Sequence, residues 1–278
     1  MTKIFSAIGE DRAHDFLKYG ARRLLTSFAY ARAAREVLDE HRRLGSRSNL
    51  LSLKLDSGAY TAWTKGKTVD LEAYAEWVDA IRANAAGIDV SAVNLDVIPG
   101  TFGNASTPAE RIAAMDASMA NADRLRAFGI EPIEVFHQDE PMEYLETLLE
   151  RRKPGCVLAI SPRNDVATSR KKAWLDVVYK RLTEDWPRVP RTHILGTTTG
   201  QVIQRYPAYS ADSSEWTYFE QYGIRVHPRY RTHYFDEDRR AMRHKVGRAD
   251  NIAQTVERVW TEEQSLAKAW ARRGLEFV

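Results

Sequence analysis

The sequence predicts an α/β chain folded as a single (β/α)8 barrel with a C-terminal helical extension. Three observations carry that expectation. Short apolar runs of strand length alternate with amphipathic stretches as far as about residue 225, the pattern of parallel strands joined by helical crossovers. The runs are nearly continuous in apolar character, which suits strands covered on both faces. Eight or nine such units fit within 278 residues, near the ~250 residues typical of a closed barrel. An open doubly wound sheet is the main rival. The Gly-rich dinucleotide fingerprint and the phosphate loop of such sheets are both missing.

The strand candidates, in chain order, are "KIFSAI", "LLTSFAY", "LLSLKLD", "SAVNLDV", "PIEVFH", "CVLAIS", "THILG", "AYSAD" and "GIRVH". Each is rich in Val, Ile, Leu or aromatics. Between them lie helical patterns. In "TPAERIAAMDASMANADRLRAFG", Thr107 is placed to cap, Pro108 to occupy the first turn, and Glu110 to close a capping box, with Gly129 as the stop. Asp70 is placed to cap "LEAYAEWVDAIRANAAG", which Gly87 should end. "EPMEYLETLLERRKPG" and "RKKAWLDVVYKRL" also have helical spacing, and the last ~30 residues read as a long helix packed outside the barrel. No linker or repeat divides the chain, so residues 1–278 are expected to form one domain, with a basic segment and helix over about 225–278.

Net charge is only +3, so any nucleic-acid partner must be recognised through local clusters. The single cysteine, Cys156, excludes an internal disulfide and any Cys-built zinc site, and its apolar neighbours mark it as a core residue. The N-terminal stretch has no long apolar run, so a cytoplasmic protein without membrane partners is expected.

The carboxyl ends of the strands hold the chemistry. Asp56 follows "LKL", Asp96 follows "VNL", His137 and Gln138 follow "EVF", Ser161 and Arg163 follow "LAI", Gly196 follows "HIL", and Asp212 lies in "YSADSS". In a barrel these ends open on one face, where active sites are built. An Asp after a strand also commonly caps the next helix. Three convergent carboxylates suit chemistry at a sugar carbon, one attacking C1 and the other moving a proton. Metal binding is a competing use, but close D-x-D or H-x-H spacing is missing, so no metal and no cofactor is expected.

These residues carry a resemblance. The chain resembles the tRNA-guanine transglycosylase superfamily over residues 50–216, and most of all its shorter relatives that act on deoxypurines in DNA. "LDSGAY", "NLDVIPG", "EVFHQDEPMEYLETLL", "HILGTTTG" and "YSADSSEW" match the family's elements in order. The resemblance implies a (β/α)8 barrel in which Asp212 is the nucleophile at C1′ and Asp56 the general acid/base. It implies that Asp96 and Gln138 bond the base edge and that Gly196 offers backbone groups beside it. His137 belongs to the same pocket, and Tyr60, Trp63 or Trp216 are placed to sandwich the base. Two departures stand out. The zinc subdomain of the full-length tRNA enzymes cannot exist with one cysteine, and Ala59 replaces the family's second glycine.

The stretch "RVHPRYRTHYFDEDRRAMRHKVGR" follows the proposed nucleophile strand. Its Arg225, Arg229, Arg231, Arg243 and Lys245 suit phosphates, and its Tyr and Phe suit unpaired bases. The alternative for this stretch is a solvated surface with internal ion pairs. The expected partner is DNA, single-stranded or with a flipped base, with tRNA second, and a free 7-deazaguanine-type base if the reaction is exchange. The alternatives are a DNA glycosylase that leaves an abasic site, a non-catalytic nucleic-acid-binding barrel, and a barrel enzyme acting on free glycosides.

Overall fold

The computed structural model describes residues 2–85, 87–102, 104, 106–163, 165–214 and 248–278. Within them the chain alternates strand and helix. β1 (Lys3–Ala7), α1 (Ala13–Lys18), β2 (Arg23–Ser27), α2 (Arg32–Leu44) and β3 (Ser52–Asp56) come first. α3 (Ala59–Thr64), α4 (Leu71–Ala83), β4 (Asp89–Val93), α5 (Pro108–Ala127), β5 (Pro132–Ile133) and β6 (Val135–His137) follow. Then come α6 (Met142–Arg151), β7 (Leu158–Ser161), α7 (Thr168–Leu182), β8 (Arg188–Val189), β9 (Thr192–Ile194), α8 (Gly200–Ile203) and β10 (Ser210–Ser213). Helix α9 (Arg248–Arg272) and β11 (Glu276–Phe277) end the chain. Among these helices, none is long and apolar enough to cross a membrane.

Nine strands form one parallel sheet in the order β5-β4-β3-β2-β1-β10-β9-β7-β6. Its two ends, β5 and β6, are neighbours in the chain, separated by Glu134 alone. The Glu134 carbonyl accepts the Ala159 N–H of β7, so the sheet curls into a nearly closed barrel. The Glu134 carboxylate accepts from Arg126 of α5 at 2.7 Å and Arg151 of α6 at 3.4 Å.

Side-chain alternation divides the core. Leu24, Leu53, Leu55 and Ala92 face one set of helices and pack with Val37, Leu38, Tyr74 and Val78. Ile4, Phe136, Ile160, Ile194 and Ala211 do the same on the other flank, against Leu145, Leu175 and Val178. The alternate positions point inward. On one side they are apolar: Val93, Ile133, Val135 and Ala159 form a small inner cluster. On the other they are polar: Lys54, Ser91, His193, Ser210 and Asp212.

The capping box on α5 forms as expected: Thr107 Oγ1 accepts from Glu110 N, and Glu110 Oε2 accepts from Thr107 N. Asp70 caps α4 at 2.9 Å. That helix ends at Ala83, before the expected Gly87, because Asn84 occupies the cap and its side-chain amide donates to the Ala80 carbonyl. Cys156 is half-buried, not in the core. A two-stranded sheet of β8 and β11 was not foreseen from sequence. Helix α9 lies against α1 and β1. Its Glu263 accepts from Ile4 N at 2.6 Å and forms a buried ion pair with Arg23, also at 2.6 Å.

Candidate active site

A cavity of about 290 Å³ opens at the carboxyl ends of the strands. Asp56, Tyr60, Asp96, His137, Gln138, Gly196 and Asp212 all line it, so these sequence-predicted site residues meet in one place. Trp216, Arg225, Arg229, Arg231, Arg243 and Lys245 lie outside the described residues.

Asp212 is held by two hydrogen bonds. It comes from β10, whose register pairs it with Phe5 of β1. Its Oδ1 accepts from His193 Nε2 at 3.0 Å and from the Gly196 N–H at 3.1 Å. Gly196 has φ of 67°, a left-handed conformation suited to glycine, and this turns its N–H onto the carboxylate. That N–H is committed to Asp212, which leaves the Gly196 carbonyl for a ligand. His193 is fully buried, and its Nδ1 meets Ser210 Oγ at 2.8 Å. Burial and the nearby Lys54 ammonium hold the imidazole down to about 4, against the pull of Asp212.

Asp56 ends β3. Its Oδ2 accepts the Gly58 N–H at 3.0 Å. Burial raises its pKa to about 6; Ser27 and Gly58 pull it down, while the charges of Asp96 and Asp212 push it up. Near neutral pH this carboxyl readily takes up and releases a proton, while Asp212 has two N–H donors on one oxygen.

The wall from β4 to β6 is differently charged. Asp96 Oδ2 accepts from His137 Nε2 at 2.8 Å. Burial opposes a charged His137, but the bond to Asp96 outweighs it and raises the imidazole to about 9. His137 is therefore the cation of an internal ion pair at neutral pH. The His137 backbone N–H donates to Glu140 Oε2 at 2.7 Å, and burial raises Glu140 to about 7. Gln138 Oε1 accepts the Arg163 N–H at 3.0 Å. Its acceptor end thus braces a loop, and its amide nitrogen remains for a ligand. Arg163 is clamped at the rim between Asp139 and Asp165.

Aromatic residues edge the mouth. Tyr60 is 48% exposed, and its ring centroid lies 6.0 Å from that of Trp63. Trp63 donates to the Gly100 carbonyl at 2.9 Å and meets the edge of Phe102.

Sequence reasoning missed Lys54, His193 and Glu140. The signal for the first two was parity: Lys54 shares a strand face with Asp56, and His193 pairs in register with Ser210, two residues before Asp212.

No protein-family model matches the sequence, and no curated protein matches it. Among solved structures, the chain is similar to a D-allulose 3-epimerase from Methylomonas sp., crystallised with D-allulose. The two are 13% identical over 94% of this chain and 96% of that one, with a TM-score of 0.45.

Proposed function

We propose that this chain is an enzyme that cleaves a nucleoside N-glycosidic bond in DNA, with Asp212 attacking C1′ and base exchange as the outcome. One observation carries the reading. Asp56 and Asp212, from β3 and β10, line the same cavity, interact through their charges, and sit in different environments. Paired carboxylates with separated roles are what glycosidic chemistry requires.

Among the described residues, both hydrogen bonds to Asp212 fall on Oδ1, which leaves Oδ2 for the attack. As the bond from Oδ2 to C1′ forms, the bond from C1′ to the base nitrogen breaks, and its electron pair leaves with the base. Protonated Asp56 gives its proton to that base. In the second half, the Asp56 carboxylate takes the N–H proton of an incoming base. The freed nitrogen attacks C1′, and Asp212 departs as a carboxylate. Asp96, the Gln138 amide and the Gly196 carbonyl offer polar atoms to the base edge, and the exposed Tyr60 ring offers a face for stacking. The family resemblance and the Arg-rich stretch 225–248 support DNA as the substrate and a 7-deazaguanine-type base as the entrant. We also count residues 132–137 as one stave interrupted at Glu134, which turns nine strands into a (β/α)8 barrel.

The test is incubation with DNA and a labelled 7-deazaguanine-type base. The wild-type protein should incorporate label without strand lesions, and Asp212→Asn should lose about a thousandfold or more in rate. A denaturing gel should show a protein–DNA adduct with the wild type and none with Asp212→Asn. Heat-labile abasic sites would replace exchange with excision, and label in tRNA alone would replace the substrate. Full activity of Asp212→Asn would end the assignment.

A further inference from the structure

We infer that Lys54 and His193, buried one layer below the cavity, form a positioning pair that holds Asp212 in one orientation against a neutral hydrogen-bond donor. For its catalytic consequence the inference rests on the reaction proposed above.

Lys54 is an unusual occupant of a barrel interior, where branched apolar side chains normally fill the space. It is 2% exposed. Among the described residues its ammonium meets Ser91 Oγ at 3.3 Å and the face of the Phe5 ring at 4.9 Å, with no carboxylate at ion-pair distance. An ammonium so placed is costly to bury. A leucine would serve packing better, so the charge itself needs a reason.

The neighbours supply one. The Phe5 ring that receives the ammonium also meets His193 edge-on, with centroids 6.0 Å apart. His193 stands between Ser210 and Asp212, with one ring nitrogen on each. To bond an ionised Asp212, Nε2 must carry the hydrogen. Nδ1 is then bare and accepts the Ser210 hydroxyl. A second proton on the ring is opposed first by burial and then by the Lys54 charge. Asp212 therefore faces a neutral donor. An imidazolium there would neutralise the carboxylate and hold its electron pairs. The charges that face Lys54 are Asp212, Asp89 and Lys3, and those that face His193 are Lys54 and Asp212. Burial and these charges place Lys54 at about 8 and His193 at about 4.

The experiment is ¹⁵N NMR of the imidazoles in the full chain, without substrate. In the wild type, His193 should stay in the neutral Nε2–H form from about pH 5 to about pH 8. An imidazolium or an Nδ1–H tautomer at about pH 6 overturns the inference whatever the variants do. Lys54→Met should raise the His193 midpoint by about one pH unit or more, and Lys54→Arg should leave it low. A Lys54→Met midpoint equal to the wild type overturns the inference. If that variant does not fold, Lys54→Gln, which retains a polar group for Ser91, carries the same expectation. The kinetic arm uses base exchange. The acid limb should move up in step with the His193 midpoint, and the rate at about pH 5 should fall about twofold or more in Lys54→Met relative to wild type. An unmoved acid limb overturns the positioning role. A shifted His193 in a protein that never releases base supports the buried pair and removes the reaction.

Discussion

Asp56 shows how a single residue is set against the fold that holds it. Its pKa rises from 3.8 to about 6 in the folded chain, so the native state binds more protons than the unfolded state between those values. Stability is fully supported below the lower value and declines as pH climbs through the upper one. Asp56→Asn removes a charge that the native cavity disfavours. We expect it to stabilise the protein by about 1–2 kcal/mol at pH 8 and by nothing near pH 3.5, measured by urea unfolding. Solvent entering through the cavity keeps the gain below the full linkage value. On the proposed reaction, the same variant should also lose base release. His137 slopes the same way in a higher window. Its contribution is complete below 6.5 and is lost as pH rises through about 9. In His137→Ala the decline between those values should flatten. Asp56, Asp96, His137, Gln138 and Asp212 were legible in sequence because each breaks an apolar run at its end. Lys54 was not, because a lysine between leucines reads as ordinary alternation until the strand is known to face a barrel interior.

At the scale of elements, the turn from β3 into α3 carries the sharpest constraint. Gly58 has φ of 79°. A Cβ there would come within 3.0 Å of the Ala29 nitrogen and 3.2 Å of Ser27 Oγ. Gly58→Ala should therefore destabilise the chain by about 1–3 kcal/mol. It should also move the Asp56 midpoint, since the Gly58 N–H is one of that carboxyl's donors; carbon-detected NMR of the carboxyl reads this directly. Elements with local signals were read well. Thr107, Pro108 and Glu110 announce α5 within four residues. Asp70 announces the start of α4, but its end was misplaced because a short polar side chain, Asn84, took a helix carbonyl before the glycine was reached. The break at Glu134 had no local mark, since a carboxylate inside "PIEVFH" becomes sensible only beside Arg126 and Arg151.

For the molecule as a whole, the joint between Arg23 and Glu263 ties the last helix to the amino ends of β1 and β2. Both side chains are almost fully buried, and their positions are 240 residues apart. The long helix was legible in sequence, but its docking point was not, because no periodicity relates two such distant charges. Removing one partner leaves the other charged and dry. Glu263→Ala should destabilise by about 3–5 kcal/mol, whereas the double replacement Arg23→Met with Glu263→Met should recover most of the loss. Thermal unfolding of the three proteins checks this. Recovery by the double variant would assign the penalty to the stranded guanidinium and not to lost packing.

The clamp on Glu134 bears on how a ligand would enter the cavity. Its main chain is stitched to β7, and its carboxylate is laced to guanidiniums from the helices on either flank. A hoop fastened on three sides at its one discontinuity has little freedom to widen there. Admission of a bulky guest would then fall to the mouth of the cavity, which Tyr60 and Arg163 help line, and not to dilation of the staves beneath.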